Sequence, residues 1–317
     1  MLRPDNHQHR AWCELHDAVG AAAAQLPRRA RVGSRARKAH AHYSKTCAMN
    51  CAGKQRTRRL AAMTPDEHAS SDDLWRQVRR EAEMAVAADP VFGGRLAAAI
   101  LDHADLGGAV AFQIGERLGK TEAERAQFAR IAREAFLAAP GLVEAASRDL
   151  SAIAIHDPAV TELLAPLLNF KGFVALQAFR VSHWLWTSDR TDLALLLQSE
   201  SADTLQVSIH PSVRIGTAVF LDHATAIVVG AFAEIGDDVT ILHNVTIGRK
   251  GTPAVRAPRI GRGVYLAAGS TILGDIDVGD FAKIGAGALV TGDVPAGCTA
   301  VGVPARLVNC PDERIVA

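Results

Sequence analysis

Aromatic residues are scarce in this 317-residue chain: four tryptophans, two tyrosines and ten phenylalanines, 5% in all. Such a supply suits narrow coils filled by aliphatic side chains better than a large sandwich core. Cysteine is scarce too. Cys13, Cys47, Cys51, Cys298 and Cys310 are odd in number and unevenly placed, which suggests no disulfide framework and makes a reducing cytoplasm the default expectation. No apolar run is long enough to span a bilayer; Leu193–Leu197 is far too short, and no secretory apolar segment stands near the start. Net charge is almost absent at +1, but it is unevenly spread. Residues 1–62 hold 13 Lys/Arg and 3 Asp/Glu, a balance of +10, and the remainder holds 22 and 31, a balance of −9. A mildly acidic body gives no general case for nucleic-acid binding.

The length favours two domains, and a hydrophobic content of 49% is ample for a core. Residues 1–62 read as a basic, disordered extension, with translation expected to begin near Met63. A transit peptide is the sharper alternative. His40, His42, Cys47 and Cys51 match no standard zinc spacing.

Residues 63–205 carry helical periodicity. Asp72–Ala88 places Leu74, Val78 and Met84 among charges and stops at Asp89-Pro90. Ala-rich helical segments follow to Ala139, Pro140-Gly141 breaks them, and another helix is expected over Leu142–Ile155. Asp157-Pro158 reads as an N-cap and first position opening the next helix. Phe170–Trp186 has one strongly apolar face.

From about Gln206 the period changes to six. Ile209, Ile215, Leu221 and Ile227 share a grid that continues through Ala233, Val239 and Val245. After a basic interruption, 248–259, it resumes at Ile260, Leu266, Ile272, Val278, Ile284 and Val290. A period of six fits neither an amphipathic helix nor a simple strand, but it fits hexapeptide coils with one inward aliphatic residue each and glycine at tight corners. The expected fold class is α+β: an all-α N-terminal domain, then a left-handed parallel β-helix of four to five coils over 206–306, with a short polar tail at 307–317. Flat coil faces point to trimerisation, and the helices to a second association layer.

The stretch Leu221-Asp222-His223-Ala224-Thr225-Ala226-Ile227-Val228-Val229-Gly230 closely resembles the signature of bacterial serine O-acetyltransferases. Asp157-Pro158-Ala159-Val160, Lys171-Gly172-Phe173, Leu176-Gln177-Ala178-Phe179-Arg180, His183-Trp184-Leu185-Trp186, Ile209-His210-Pro211 and Gly302-Val303-Pro304-Ala305-Arg306 resemble the same family, so the likeness covers about residues 70–308. It implies acetyl transfer from acetyl-CoA to L-serine, with acetyl-CoA as a co-substrate and no permanently bound cofactor. A serine hydroxyl is a poor nucleophile at neutral pH, and an imidazole can take its proton. His223 matches the family's general base, Asp157 and Asp222 its carboxylates for the substrate ammonium, and Arg256 its arginine for the substrate carboxylate. CoA is expected along a groove between neighbouring β-helices, near Gly248, Ala267, Ala268 and Gly285, with charge from Lys283 and Arg306. L-Cysteine is implied as a feedback inhibitor competing at the serine site.

Two site positions depart from the family. Ser208 replaces the aspartate that pairs with the base, which predicts a slower enzyme, and Ala257 replaces a histidine after Arg256, which opens the door to another small hydroxyl acceptor such as homoserine. The ending Glu313-Arg314-Ile315-Val316-Ala317 lacks the family's acidic, isoleucine-terminated tail, so no tight cysteine-synthase complex is expected. The competing classes are a catalytically silent homologue and a zinc enzyme of the β-helical carbonic anhydrase type using His210, His223 and His243.

Overall fold

A computed structural model of the chain describes residues 70–251 and 256–311. The expectations for residues 1–62, including the His40–Cys51 group, and for the last six residues lie outside these.

Helices come first: α1 (Ser71–Ala88), α2 (Gly93–Leu96), α3 (Leu106–Leu118), α4 (Glu122–Ala138), α5 (Gly141–His156), α6 (Leu164–Asn169), α7 (Lys171–Thr187) and α8 (Thr191–Leu205). The starts of α1, α3 and α4 follow capping chemistry. The Ser70 hydroxyl accepts from the Asp73 amide, and Thr121 with Glu124 forms a reciprocal capping box. Helix α7 is buried over most of its surface from Gly172 to Leu185, so it is the central helix rather than a one-faced one.

Asp157 does not open a helix. It closes α5, and its carboxylate accepts from the Ala159 amide at 2.8 Å while its carbonyl accepts from Val160 at 3.1 Å. The side chain thus builds a local turn around Pro158, and the next helix waits until Leu164. There the amides of Leu163 and Leu164 donate to Glu81 of α1 at 2.8 and 2.9 Å. Burial raises the pKa of that carboxyl, and its hydrogen bonds oppose the rise.

The strands that follow build three sheets. The first stacks β1 (Val207–Ile209), β4 (Ile227–Val229), β7 (Thr246–Gly248), β10 (Thr271–Leu273) and β13 (Leu289–Val290). The second stacks β2 (Arg214–Ile215), β5 (Glu234–Ile235), β8 (Arg259–Ile260) and β11 (Asp277–Val278). The third stacks β3 (Phe220–Leu221), β6 (Thr240–Ile241), β9 (Tyr265–Leu266), β12 (Lys283–Ile284), β14 (Thr299–Val301) and β15 (Arg306–Val308). Each coil visits the three sheets in turn, and every pairing is parallel except β14 with β15. This is a three-walled parallel β-helix, as the six-residue period predicts.

The uniform grid needs correction. Ile209 pairs with Val229 and Leu221 with Ile241, a spacing of 20, whereas Val229 pairs with Ile247 and Val278 with Ile260, a spacing of 18. Two residues are therefore extra in the first coil. The second insertion is larger: Ile235 pairs with Ile260 across the basic interruption, a spacing of 25. The even grid survived in the sequence because the slip moves it from one inward position to another, so Ile227, Ala233, Val239 and Val245 are still buried.

The cysteine expectation is also corrected. Cys298 and Cys310 form a disulfide. They flank β14 and β15, whose antiparallel register sets Thr299 opposite Val308 and so brings the flanking residues together. The expected polar tail thus begins as a strand.

Helices and coils join through a buried ion pair. Asp149 of α5 is fully buried and accepts from Arg180 of α7 at 2.9 and 3.0 Å, from Gln177 at 3.0 Å and from the Val219 amide at 3.0 Å. Arg180 also donates to the Gly216 carbonyl at 2.7 Å. Burial pushes the Asp149 carboxyl above its ordinary range, and Arg180 pulls it back. Breaking one half of such a pair leaves the other charge buried and uncompensated. We expect Asp149→Asn to cost about 3 kcal/mol or more in denaturant unfolding; a loss within about 0.5 kcal/mol, the range of ordinary surface substitutions, would show that the pair is not the joint described.

Candidate active site

The chain passes from the third sheet to the first at stacked corners. Asp222, Leu242 and Ala267 are equivalent, each donating its amide to the coil above at 2.8–3.0 Å. Thr225, His243 and Ala268 are equivalent in the same way, accepting from Asn244, Gly269 and Gly287 at 2.7, 3.0 and 2.9 Å. Between Asp222 and Thr225 lie His223 and Ala224, which have no counterpart in the coils above. They are the two extra residues.

Both sit in the left-handed region, at φ +55° and +54°, and Ala226 follows at +58°. Asn244, Gly269 and Gly287 share the position of Ala226, so that one belongs to every corner of this edge. The other two belong to this corner alone. The Ala224 amide bonds to the Asp222 carbonyl at 2.6 Å, closing a turn over His223 alone. Left-handed non-glycine residues cost of order 1–3 kcal/mol each and persist where the surroundings hold them, as at functional sites.

The turn pushes His223 off the wall. Its side chain is 75% exposed, with Nε2 3.7 Å from Asp222 Oδ1 and its ring edge-on to His243 at 5.9 Å. An exposed imidazole beside a carboxylate can accept a proton and be steadied once charged. In the sequence His243 stands out only as a zinc candidate; the two-residue slip is what places it one coil above His223.

Helix α7 presses on this corner. A Cβ at Gly172 would overlap the Leu221 carbonyl oxygen and stand 3.0 Å from the Ala224 side chain. Only glycine permits that approach of helix to turn.

The remaining candidates divide between locations. Ala267, Ala268 and Gly285 lie on the same edge as Asp222 and His223, in higher coils, while Lys283 and Arg306 are on the third sheet. Gly248 and Arg256 are on a different edge, between the first sheet and the second. Arg256 bonds to Asp275 and, at 3.1 and 3.3 Å, to both oxygens of Asp277. Asp277 also accepts from Arg259 at 2.7 and 3.0 Å, and these hydrogen bonds hold its carboxyl well below the usual carboxylate range. Ala257 is buried, so its methyl group faces the core. Asp157 lies at the end of α5, where its neighbour His156 bonds to Asp238 at 2.8 Å, between the second and third sheets.

Ser208 was expected to partner the base. Its hydroxyl accepts from the Gln198 side chain of α8 at 3.3 Å, and among the described residues the carboxylate beside the imidazole is Asp222. Of the three histidines of the zinc alternative, His223 and His243 share one edge. His210 bonds to Ser212 and packs against Trp186 on another edge, and among the described residues no cluster of three or more metal-binding side chains occurs. Burial and Arg249 lower the pKa of His210.

Comparison with known proteins supplies the family. Residues 74–178 match the model of the serine acetyltransferase N-terminal region. A serine acetyltransferase of Salmonella typhimurium is 42% identical over 239 residues, 75% of this chain and 88% of the relative. Among solved structures, a soybean serine acetyltransferase complexed with serine matches at a TM-score of 0.72 and 43% identity, over 77% of this chain and all of the other. A serine acetyltransferase complex with CoA gives 0.72 at 39% identity over 75% and 100%, and one with cysteine gives 0.74 at 39% over 76% and 95%.

Gly172 offers a sign test. Alanine has the better helix propensity by about 1 kcal/mol, so propensity alone predicts a more stable protein. The overlap with Leu221 predicts instead that Gly172→Ala lowers the melting temperature and depresses turnover. A more stable variant with unchanged turnover would refute the close packing.

Proposed function

This chain belongs to the serine acetyltransferase family, and from that premise we propose how its residues divide the work. The reaction is the transfer of the acetyl group of acetyl-CoA to the hydroxyl of L-serine, giving O-acetyl-L-serine and CoA, the step that leads to cysteine.

His223 is the general base. It takes the hydroxyl proton as the serine oxygen attacks the thioester carbon. The tetrahedral intermediate collapses with loss of the CoA sulfur, which leaves as the thiol after receiving the proton from the imidazolium. The observation that carries this reading is the two-residue left-handed turn that lifts His223 alone out of an otherwise regular wall. Asp222 is the adjacent carboxylate that stabilises the imidazolium and meets the substrate ammonium; Asp157, beside the edge between the second and third sheets in the single chain, is the second carboxylate proposed for it. Ser208 stays with Gln198 and contributes position rather than charge.

Arg256 receives the substrate carboxylate. In a single chain it is on a different edge from His223, so the reading needs two copies side by side: one offers the edge with Asp222, His223, Ala267, Ala268 and Gly285, the other the edge with Gly248 and Arg256. A homotrimer, alone or doubled through the helices, satisfies that geometry. Acetyl-CoA lies in the groove between copies, with Lys283 and Arg306 on the neighbouring wall. There a substrate carboxylate competes with Asp275 and Asp277 for Arg256. L-Cysteine, which resembles serine in its ammonium and carboxylate, inhibits by occupying the same place. The protein's proposed place of action is the cytoplasm on family grounds, since the Cys298–Cys310 disulfide removes the argument from scarce cysteine. Among the described residues no helix is long and apolar enough to cross a membrane.

Thiol release from acetyl-CoA tests this. The wild-type protein should release CoA with L-serine well above the rate with homoserine or with no acceptor. His223→Ala should lose about 10²–10⁴-fold, the usual worth of a general base, and Arg256→Ala should raise KM for serine. Coexpressed in one cell, the two variants should form mixed oligomers with sites that are whole, and activity should return. Mixed oligomers that are as inactive as the His223→Ala protein would contradict the shared site, and homoserine as the preferred acceptor would contradict the substrate.

A further inference from the structure

The strained turn at His223 needs something to hold its backbone, and the coils above do not, because the two extra residues make no backbone hydrogen bond to them. The helical layer reaches this place. Lys171, the first residue of α7, donates from Nζ to the Thr225 hydroxyl at 2.8 Å and lies 3.4 Å from the Gln206 side-chain oxygen. Thr225 is the residue that follows the turn and re-enters the register of the coils above. Its backbone is fixed from above by the Asn244 amide at 2.7 Å, and its hydroxyl points at the His223 carbonyl at 3.5 Å, a long and weak contact. Gln206 is itself left-handed, at φ +59°, where α8 ends and the first strand begins. One ammonium thus bridges the end of one helix, the start of another and the corner that carries the base. Burial lowers the Lys171 pKa, consistent with a charge drawn partly out of water toward neutral acceptors.

We propose that Lys171, acting through Thr225, is a positioning residue for catalysis: the ammonium clamps the turn so that His223 keeps its left-handed backbone and its aim. This rests on the assignment of His223 as the base. Lys171 touches neither substrate in this account; it restrains the group that does. A clamp of this kind acts on the chemical step, because a loosened imidazole still leaves the binding groups for serine and CoA in place. Lysine suits the task through its long stem and its three rotatable donors.

The test compares Lys171→Met, Thr225→Val, the double variant and Lys171→Arg in the full-length protein by thiol release. Lys171→Met keeps most of the stem and removes the charge. We expect its kcat to fall about tenfold, or about 1.4 kcal/mol, with KM for serine and for acetyl-CoA within about twofold of wild type. Thr225→Val should fall comparably, the double variant should fall no further than the worse single variant, and Lys171→Arg should recover most of the rate. Additive losses, an unchanged kcat in Lys171→Met, or a loss confined to either KM would overturn the clamp. A lower melting temperature with unaltered kcat at a temperature where the variant is folded would do the same, since it would mark Lys171 as structural only. Failure of the base assignment looks different: His223→Ala would then keep the wild-type rate, whatever the Lys171 variants do.

Discussion

Two surplus residues at one corner set the character of this protein. A parallel β-helix repeats because each coil finds its hydrogen-bond partners in the next, and any residue outside that register loses them. His223 and Ala224 are outside it. Their backbones are left-handed, a conformation that L-residues adopt at a cost, and the result is an imidazole standing clear of a wall whose other corner residues follow the repeat. Everything nearby can be understood as support for that exception. Gly172 lets helix α7 meet the turn without a side chain between them, and the buried Asp149–Arg180 pair ties α5 and α7 to the first coil, where the turn begins.

In the account proposed, the helical layer supports the chemistry by holding the first coil in place. Asp149 binds a backbone amide of the first coil, Val219, and Arg180 a carbonyl, Gly216, so the layer is attached to the strand framework through main-chain groups that cannot rotate away. Such a joint is costly to build, because two charges leave water, and it repays that cost with a defined geometry when every polar atom has a partner. The edges of the prism divide the substrate groups in turn. His223, the proposed proton acceptor, and Arg256, the arginine proposed for the substrate carboxylate, lie on different edges, which makes association of copies a condition of activity in this account.

Much of this was legible in the sequence, for reasons that differ by level. The period of six could be read because each inward position takes one aliphatic residue whatever the neighbouring chain does. The boundaries of α1, α5 and α7 followed from Asp89-Pro90, Pro140-Gly141 and the apolar run to Trp186. Three features were not legible. The register slip was masked because Ile227, Ala233, Val239 and Val245 fill a second inward position and keep the period intact. Asp157-Pro158 satisfies the rules for a helix start and for a turn alike, and only the tertiary path decides between them. Cys298 and Cys310 meet through the reversal of β15 on β14, a long-range register that no local spacing announces. For the site, the decapeptide around His223 pointed to the corner that carries the surplus turn, but the engagement of Ser208 by Gln198 depends on where α8 lies, and the locations of Arg256 and His223 on separate edges depend on the count of residues per coil.

The claim on which the rest stands is that His223, lifted by its surplus turn, receives the proton of the acceptor hydroxyl. A crystal structure of the assembled protein with L-serine and CoA bound tests it most directly. The account predicts the serine hydroxyl within about 3 Å of a His223 ring nitrogen, hydrogen-bond reach for proton transfer, with the turn still left-handed at His223 and Ala224 and with Arg256 of an adjacent copy on the serine carboxylate. Serine bound with its hydroxyl beyond reach of that imidazole, or a turn that relaxes to right-handed backbone when substrate is present, would contradict it.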